Sequence, residues 1–420
     1  MNPTQASIIT IGNELLIGQT IDTNSAYIGQ ELNKIGIWVR KRVAVGDDAL
    51  EIKTALDQES ALSDLIILTG GLGPTADDIT KPLLCEYFGG TLRQDIDTLE
   101  HIRYLFEEVY RRPGALLERN INQANVPDNC IVLKNPVGTA PGMLFERNGK
   151  IFISLPGVPR EMKDLMNSSV LPYLEKNTKR AAIVHRNLLT AGIGESVLAE
   201  MIQDFERALP DSVSLAYLPN YGMVKLRLTG IGAEEAALHE LMNPLFDELK
   251  ILTSAYLVTD VEESLEETLG KLLAKKGASV GTAESCTGGL IGHRISSVSG
   301  ASAYYKGSIV SYANETKESL LRVKSETLKN AGAVSEETVL EMAKGALNAL
   351  KTDYIIAVTG IMGPQGGTPE KPVGTVWVAV GNSNQLKTKK LQLGFDRIRN
   401  TQQTAVSSLN LLRQFIREEP

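Results

Sequence analysis

Cysteine is scarce. Cys85, Cys130 and Cys286 are the three in 420 residues. An odd number, at spacings that match no metal or redox motif, excludes a disulfide framework and points to a reducing compartment. No apolar run reaches the roughly 18 residues that a membrane span needs, so no membrane segment is expected. The opening stretch MNPTQASIITIGNE has no basic region followed by an apolar one, so no secretory signal is expected either, and the protein is expected to be cytoplasmic. Positive charge is not in excess. The net charge is −7 and the isoelectric point about 5.4, which argues against a broad nucleic-acid footprint, although local amides and one or two arginines suffice to bind a phosphate.

What is present is an ordinary globular composition, in a chain long enough for several domains. Residues 1–172 alternate short apolar runs with helix-like stretches. Asp64–Leu68 (DLIIL) reads as a buried parallel strand, and Thr23–Ile35 as an amphipathic helix. Tyr173–Arg180 follows Pro172 and is polar, which reads as a linker. Residues 181–255 read strand, helix, strand, strand, helix. A boundary near Val258–Ser264 precedes residues 260–420, where the β-α alternation returns. The expected fold class is α/β, two doubly wound domains joined by a small α+β module.

Both outer domains carry an apolar strand followed by Thr-Gly and then Gly-Pro: DLIILTGGLGP from Asp64 and DYIIAVTGIMGP from Asp353. Each places a glycine-rich turn at a strand's C-terminal end, where open α/β sheets bind ligands. In the first, Gly70, Gly71 and Gly73 offer amides to a phosphate. Asp77 and Asp78 follow, and Glu14 ends the first strand. Together these carboxylates suit a hard divalent cation. Asp22 and Asn24 either add oxygen ligands or cap the following helix.

In the C-terminal domain TAESCTGG (282–289) follows a strand and opens a helix. Ser285 then sits at a helix mouth, with the amides of Thr287, Gly288 and Gly289 facing outward to hold a phosphate or an oxyanion. A serine nucleophile needs a base. Of four histidines only His293 lies in this domain, and its helical offset points it away from Ser285. A lysine kept neutral by burial is the alternative. SYANETK (311–317) offers Lys317, with Tyr312 and Asn314 beside it. Cys286 is a competing nucleophile or a packing residue. Glu284 orients the turn or the lysine, or caps the helix.

ITIGNELLIGQTIDTNS and TGGLGPTADDITK, with NPVGTAPGM and the LPGVPREM that carries Arg160, resemble the molybdopterin-binding (MogA/MoaB-like) domain in the form found in the CinA family. The resemblance implies metal-dependent hydrolysis of ADP-ribose to AMP and ribose 5-phosphate. Residues 181–255 resemble that family's KH-type module. GIGE (192–195) lacks the basic flanks of a nucleic-acid clamp, so a spacer or dimerisation role is expected and nucleic-acid binding is not. AESCTGG, SYANETK and TGIMGPQGGTPEKPVGTVW (359–377) resemble the family's C-terminal PncC-type amidases, which deamidate nicotinamide mononucleotide. That resemblance implies a Ser285–Lys317 dyad acting without a cofactor, with the oxyanion on the 286–289 amides. Thr359, Gly360 and Gly363 are expected to hold the ribose phosphate, and Arg397, in GFDR, to meet phosphate or carboxamide. The family's further downstream arginine falls near Thr401 or Gln403, with Arg399 as the substitute. Nucleotides are thus the expected partners, and a homodimer the expected assembly. A catalytically silent competence or damage-inducible accessory protein and a molybdopterin-binding protein are the alternatives.

Overall fold

In the computed structural model residues 3–75, 77–111 and 115–419 are described. Ala76 of the first glycine-rich loop lies outside them. Two compact units are present, Met1–Ile183 with Ile231–Glu235, and Val184–Gly230 with Ala236–Pro420. No helix among the described residues is long and apolar enough to cross a membrane.

The first unit is built on a six-stranded sheet, ordered Trp38–Val45, Gln5–Ile11, Leu65–Thr69, Lys150–Leu155, Gly142–Arg147, Ile131–Leu133. The first four strands pair in parallel, and Gly142–Arg147 runs against both of its neighbours. Leu65–Thr69 is buried at every position, as its uninterrupted apolar sequence predicts for a strand covered on both faces. Alternate residues divide between two cores, Ile66 and Leu68 on one face, Leu65 and Ile67 on the other.

The expected linker at Tyr173–Arg180 is instead mostly helical. The chain is helical from Pro159 through Asn177, with a wider turn at Met166–Val170. Pro172 follows directly on that wider turn, and Leu174 is packed in the core.

Val213–Asn220, Met223–Gly232, Ala182–Ala191 and Leu257–Thr259 form a four-stranded sheet in that order, nearly all of it in the second unit. The module is packed into its neighbour. Leu189, Ala191, Met223 and Val258 share one core with Leu265 and Leu269 of the following helix. That helix, Leu265–Lys276, starts at a capping box, Ser264 with Glu267, and stops at Gly277 in the left-handed conformation. A five-stranded sheet follows, ordered Tyr305–Val310, Val280–Glu284, Tyr354–Gly360, Thr375–Gly381, Leu386–Gln392. Its first three strands are parallel. The fully buried Val280–Glu284 strand lies between two parallel partners, so its C-terminal end opens on a ligand-binding edge.

Candidate active site

Ser285 is the residue after that strand. Its amide donates to the Val358 carbonyl at 3.1 Å, adding one rung to the sheet and fixing the serine at the sheet's edge. The chain then turns through Gly288 (φ 63°) and Gly289 (φ 100°), both left-handed, before the helix Leu290–Ser296 begins. On the neighbouring strand the Ser311 amide donates to the Glu284 carbonyl at 2.8 Å. The helix Asn314–Leu321 follows and carries Lys317 on its inner face. The helix Glu336–Leu350 presses on it so closely that a Cβ at Gly345 would lie 1.8 Å from the Leu321 carbonyl oxygen.

Lys317 Nζ lies 2.9 Å from Ser285 Oγ, 2.8 Å from the Ser311 carbonyl and 3.1 Å from the Tyr312 carbonyl. The side chain is 1% exposed. Its burial, with no ion pair to a carboxylate among the described residues, lowers its pKa below the usual lysine value of 10.5, and the neighbouring Cys286 opposes this weakly. In the neutral form the contacts divide as general-base chemistry requires. Two N–H groups satisfy the two carbonyls, which only accept, and the lone pair is left to take the proton of the serine hydroxyl.

Cys286 does not compete with the serine. It packs in the apolar core, and burial pushes its thiol up to about 12, so a thiolate is not formed near neutral pH. His293 is exposed on its helix.

Glu284 caps the helix. Fully buried, its carboxylate accepts from the amides of Gly289 (3.0 Å), Ile291 (3.1 Å) and Gly292 (2.8 Å) and from the hydroxyls of Thr287 (2.7 Å) and Thr282 (3.1 Å). A helix N-terminus favours an anion, and here the anion is built in. This corrects the expected role of the 286–289 amides. That of Gly289 is taken by Glu284, and that of Gly288 donates to the Ser285 carbonyl at 3.1 Å. The Thr287 hydroxyl is spent on the same carboxylate.

Arg397, Tyr312 and Gly363 come together. Arg397 donates to the Gly363 carbonyl at 2.9 Å and to the Tyr312 hydroxyl at 3.0 Å. Thr359 and Gly360 serve the fold instead. Thr359 is buried and its hydroxyl donates to the Ala333 carbonyl at 2.7 Å, while a Cβ at Gly360 would meet Val376 at 2.7 Å. Asn314 is exposed at the start of its helix. Arg399 stacks on Phe395, 4.0 Å from the ring centroid, and the Thr401 hydroxyl donates to the Arg397 carbonyl at 2.8 Å.

A residue missed from the sequence is Asn400. Fully buried, its amide nitrogen donates to the carbonyls of Met362 (3.1 Å) and Phe395 (2.8 Å), and its oxygen accepts from the Phe395 amide (3.2 Å). It ties the segment before Arg397 to the loop whose Gly363 receives Arg397. An asparagine in a polar stretch carries no local sign of such a role.

In the first unit Glu14, Gly70, Gly71, Gly73, Asp77 and Asp78 line one cleft of about 330 Å3, with Asp47 and Glu161. The expected metal set is nevertheless not drawn around one point. No cluster of three acidic, histidine or cysteine side chains fit to hold an ion exists among the described residues. The reason is local. Asp78 turns back to accept from the Thr75 amide at 2.9 Å and from its hydroxyl. A hydrogen bond from Thr75 lowers the pKa of Asp77. Asp22 proves to be a helix cap, accepting from the Ser25 amide at 2.9 Å. Asn24 donates to Thr69 and to the Gly157 carbonyl. Glu161 was not anticipated from the sequence. Burial raises its pKa, while a 2.7 Å hydrogen bond from Asn135 opposes the rise.

Comparison with known proteins gives a consistent result. The family described as the CinA C-terminal domain matches residues 262–416, the damage-inducible protein CinA KH domain matches 185–259, and the probable molybdopterin binding domain matches 7–176. The chain is 46% identical to a CinA-like protein of Cytophaga hutchinsonii over 413 residues, covering 98% of each. It is 41% identical to a CinA-like protein of Chloroherpeton thalassium, covering 98% of this chain and 99% of that one. A solved structure of a CinA protein of unknown function from Thermoplasma acidophilum is 40% identical, covers 42% of this chain and 98% of that one, and has a TM-score of 0.37.

Proposed function

The chain belongs to the CinA family, and from that we propose that its C-terminal domain hydrolyses the carboxamide of nicotinamide mononucleotide to nicotinate mononucleotide and ammonia. The observation that carries this reading is the buried Lys317 amine 2.9 Å from the Ser285 hydroxyl. Ser285 attacks the carboxamide carbon as Lys317 takes its proton. The oxyanion lies toward the Cys286 and Thr287 amides. Lys317 returns the proton to the leaving nitrogen, and ammonia departs. Water then enters with the same base, cleaves the ester and regenerates the serine. Arg397 and Tyr312 supply a cation and a hydroxyl for the substrate's phosphate or carboxamide.

The test is ammonia release from nicotinamide mononucleotide in the presence of a chelator. Activity that survives the chelator and vanishes in Ser285→Ala is expected. Equal release by Ser285→Ala overturns the assignment.

A second activity is favoured by the glycine-loop cleft, hydrolysis of the diphosphate of ADP-ribose to AMP and ribose 5-phosphate. The loop amides suit a diphosphate. The cleft's carboxylates are of the kind a hard divalent cation takes, and the diphosphate would complete a coordination that Glu14, Asp77 and Asp78 do not complete alone. AMP release that needs added divalent metal and falls in Asp78→Ala is expected. Release indifferent to both removes this reading.

A further inference from the structure

Glu14, Asp47, Asp77, Asp78 and Glu161 are the carboxylates of the glycine-loop cleft, and among the described residues no lysine, arginine or histidine lines it. Glu161 differs from the others in how it is held. It stands half-buried in the helix Pro159–Leu165, and its Oε2 accepts from Asn135 Nδ2 at 2.7 Å. Asn135 is itself buried and fully committed. The same nitrogen donates to the Ala140 carbonyl at 2.8 Å, and its oxygen accepts from the Val137 amide at 3.2 Å. Turning the amide over would lose these bonds, so a donor always faces Glu161. Opposite the carboxyl stands Gly138, where a Cβ would lie 2.1 Å from Glu161 Cδ. The carboxyl occupies the space that a side chain at 138 would take.

The other oxygen, Oε1, accepts no hydrogen bond among the described residues and is not enclosed, so it is open to the cleft that Glu161 lines. One oxygen pinned and the other open is the arrangement a proton acceptor needs. The first fixes the direction of the carboxylate, and the second meets water. Burial raises the pKa of the group, the Asn135 bond opposing, which makes the carboxylate a stronger base than an exposed one. The charges on the surrounding walls are engaged elsewhere. Lys134 is exposed and paired with Asp97 at 2.7 Å. On the same helix Arg160 and Lys163 are exposed, and Asp164 is half-buried.

We propose that Glu161 is the general base of the diphosphate hydrolysis, with Asn135 and Gly138 as its positioning residues. The oxygen of a water molecule bonds to one phosphorus of the substrate as the water's proton passes to Glu161 Oε1. The bridging P–O bond breaks, and its electron pair leaves on the other phosphate. That leaving group is a phosphate monoester, with a second pKa of about 6, and departs without an acid. Glu161 then releases the proton to solvent. The inference rests on reading the cleft as the diphosphate site, and supplies the proton acceptor that this reading leaves unassigned.

Two measurements on the full chain test it, AMP release from ADP-ribose with magnesium across pH, and calorimetric titration with magnesium pyrophosphate. Glu161→Gln keeps an oxygen for Asn135 and removes the base. Gly138→Ala keeps the base and displaces it, and stands if the first variant fails to fold. The expected fall in kcat is about 10²-fold or more in Glu161→Gln and about tenfold or more in Gly138→Ala, with KM within about threefold in both. The wild-type rate should rise with pH on a limb whose midpoint lies above 4.5, the ordinary glutamate value, and Glu161→Gln should lack that limb. Affinity for magnesium pyrophosphate should stay within about threefold. A smaller fall in kcat, or a limb that persists in Glu161→Gln, overturns the base. A larger loss of magnesium pyrophosphate affinity makes Glu161 a ligand of the metal, and overturns the base as well. A wild type that releases no AMP overturns the hydrolysis itself, and the base with it.

Discussion

Lys317 Nζ lies 2.9 Å from Ser285 Oγ while its other contacts go to two backbone carbonyls. The serine therefore faces the one position on the amine that carries a lone pair when the lysine is neutral. Because burial lowers the Lys317 pKa, the active, unprotonated form gains population as pH rises. The amidase rate is expected to climb with pH on a limb whose midpoint lies below 10.5, the ordinary lysine value. Lys317→Arg should fall by at least about 10³-fold in kcat, because a guanidinium stays protonated and cannot serve as base. A pH–rate profile that keeps its limb in Lys317→Arg would sink the dyad.

Cys286 should be dispensable for chemistry. With its thiol pushed up to about 12 in the apolar core, Cys286→Ala is expected to keep kcat within about threefold, at a modest cost in stability from the small cavity it leaves. A thiol alkylating agent should inactivate the native enzyme slowly or not at all. Stoichiometric labelling of Cys286 with matching loss of activity would contradict this.

Glu284→Gln should damage both stability and rate. A carboxylate accepts from three amides and two hydroxyls; the NH2 of glutamine would point at donors. The expected loss is about 2 kcal/mol, a fall in Tm of roughly 4–8 °C. Because the displaced carboxylate sets the turn after Ser285, kcat should drop more than KM rises. Unaltered thermal unfolding would show that the cap is not formed in solution.

Asn400→Ala should act on substrate binding. Loss of the tie between Met362 and Phe395 frees the segment before Arg397, so KM is expected to rise about tenfold with kcat little changed. An effect on kcat alone would place Asn400 elsewhere in the reaction.

In the first unit Gly71→Ala should abolish AMP release and leave ammonia release intact. The added Cβ would lie 2.1 Å from Thr80 Oγ1, at a φ of +66°, a strain of roughly 1–3 kcal/mol on the phosphate loop. Assaying both activities on one preparation checks this, and a parallel loss of both would be the contrary result.

The strands that read clearly were those with uninterrupted apolar residues, such as Leu65–Thr69 and Tyr354–Gly360. Their composition reflects burial on both faces. The edge strand Leu386–Gln392 did not show itself, because LKTKKLQ has little to bury. Neither did the strand Tyr305–Val310 or the helix Asn314–Leu321, although these deliver Lys317. Tyr173–Arg180 misled for the opposite reason, since its polar residues cover one side of a helix that buries Leu174.

What the sequence determined by itself was an inventory: which segments fold as α/β, where the glycine turns end the strands, and which serine, lysine and arginine are available. The tertiary structure decided which of those groups meet and in what state. Whether an amine loses its proton, a carboxylate claims a helix's amides, or three acids share an ion depends on solvent exclusion and on distances of a few ångströms. Those are set by elements far apart in the chain, and no short stretch of residues encodes them.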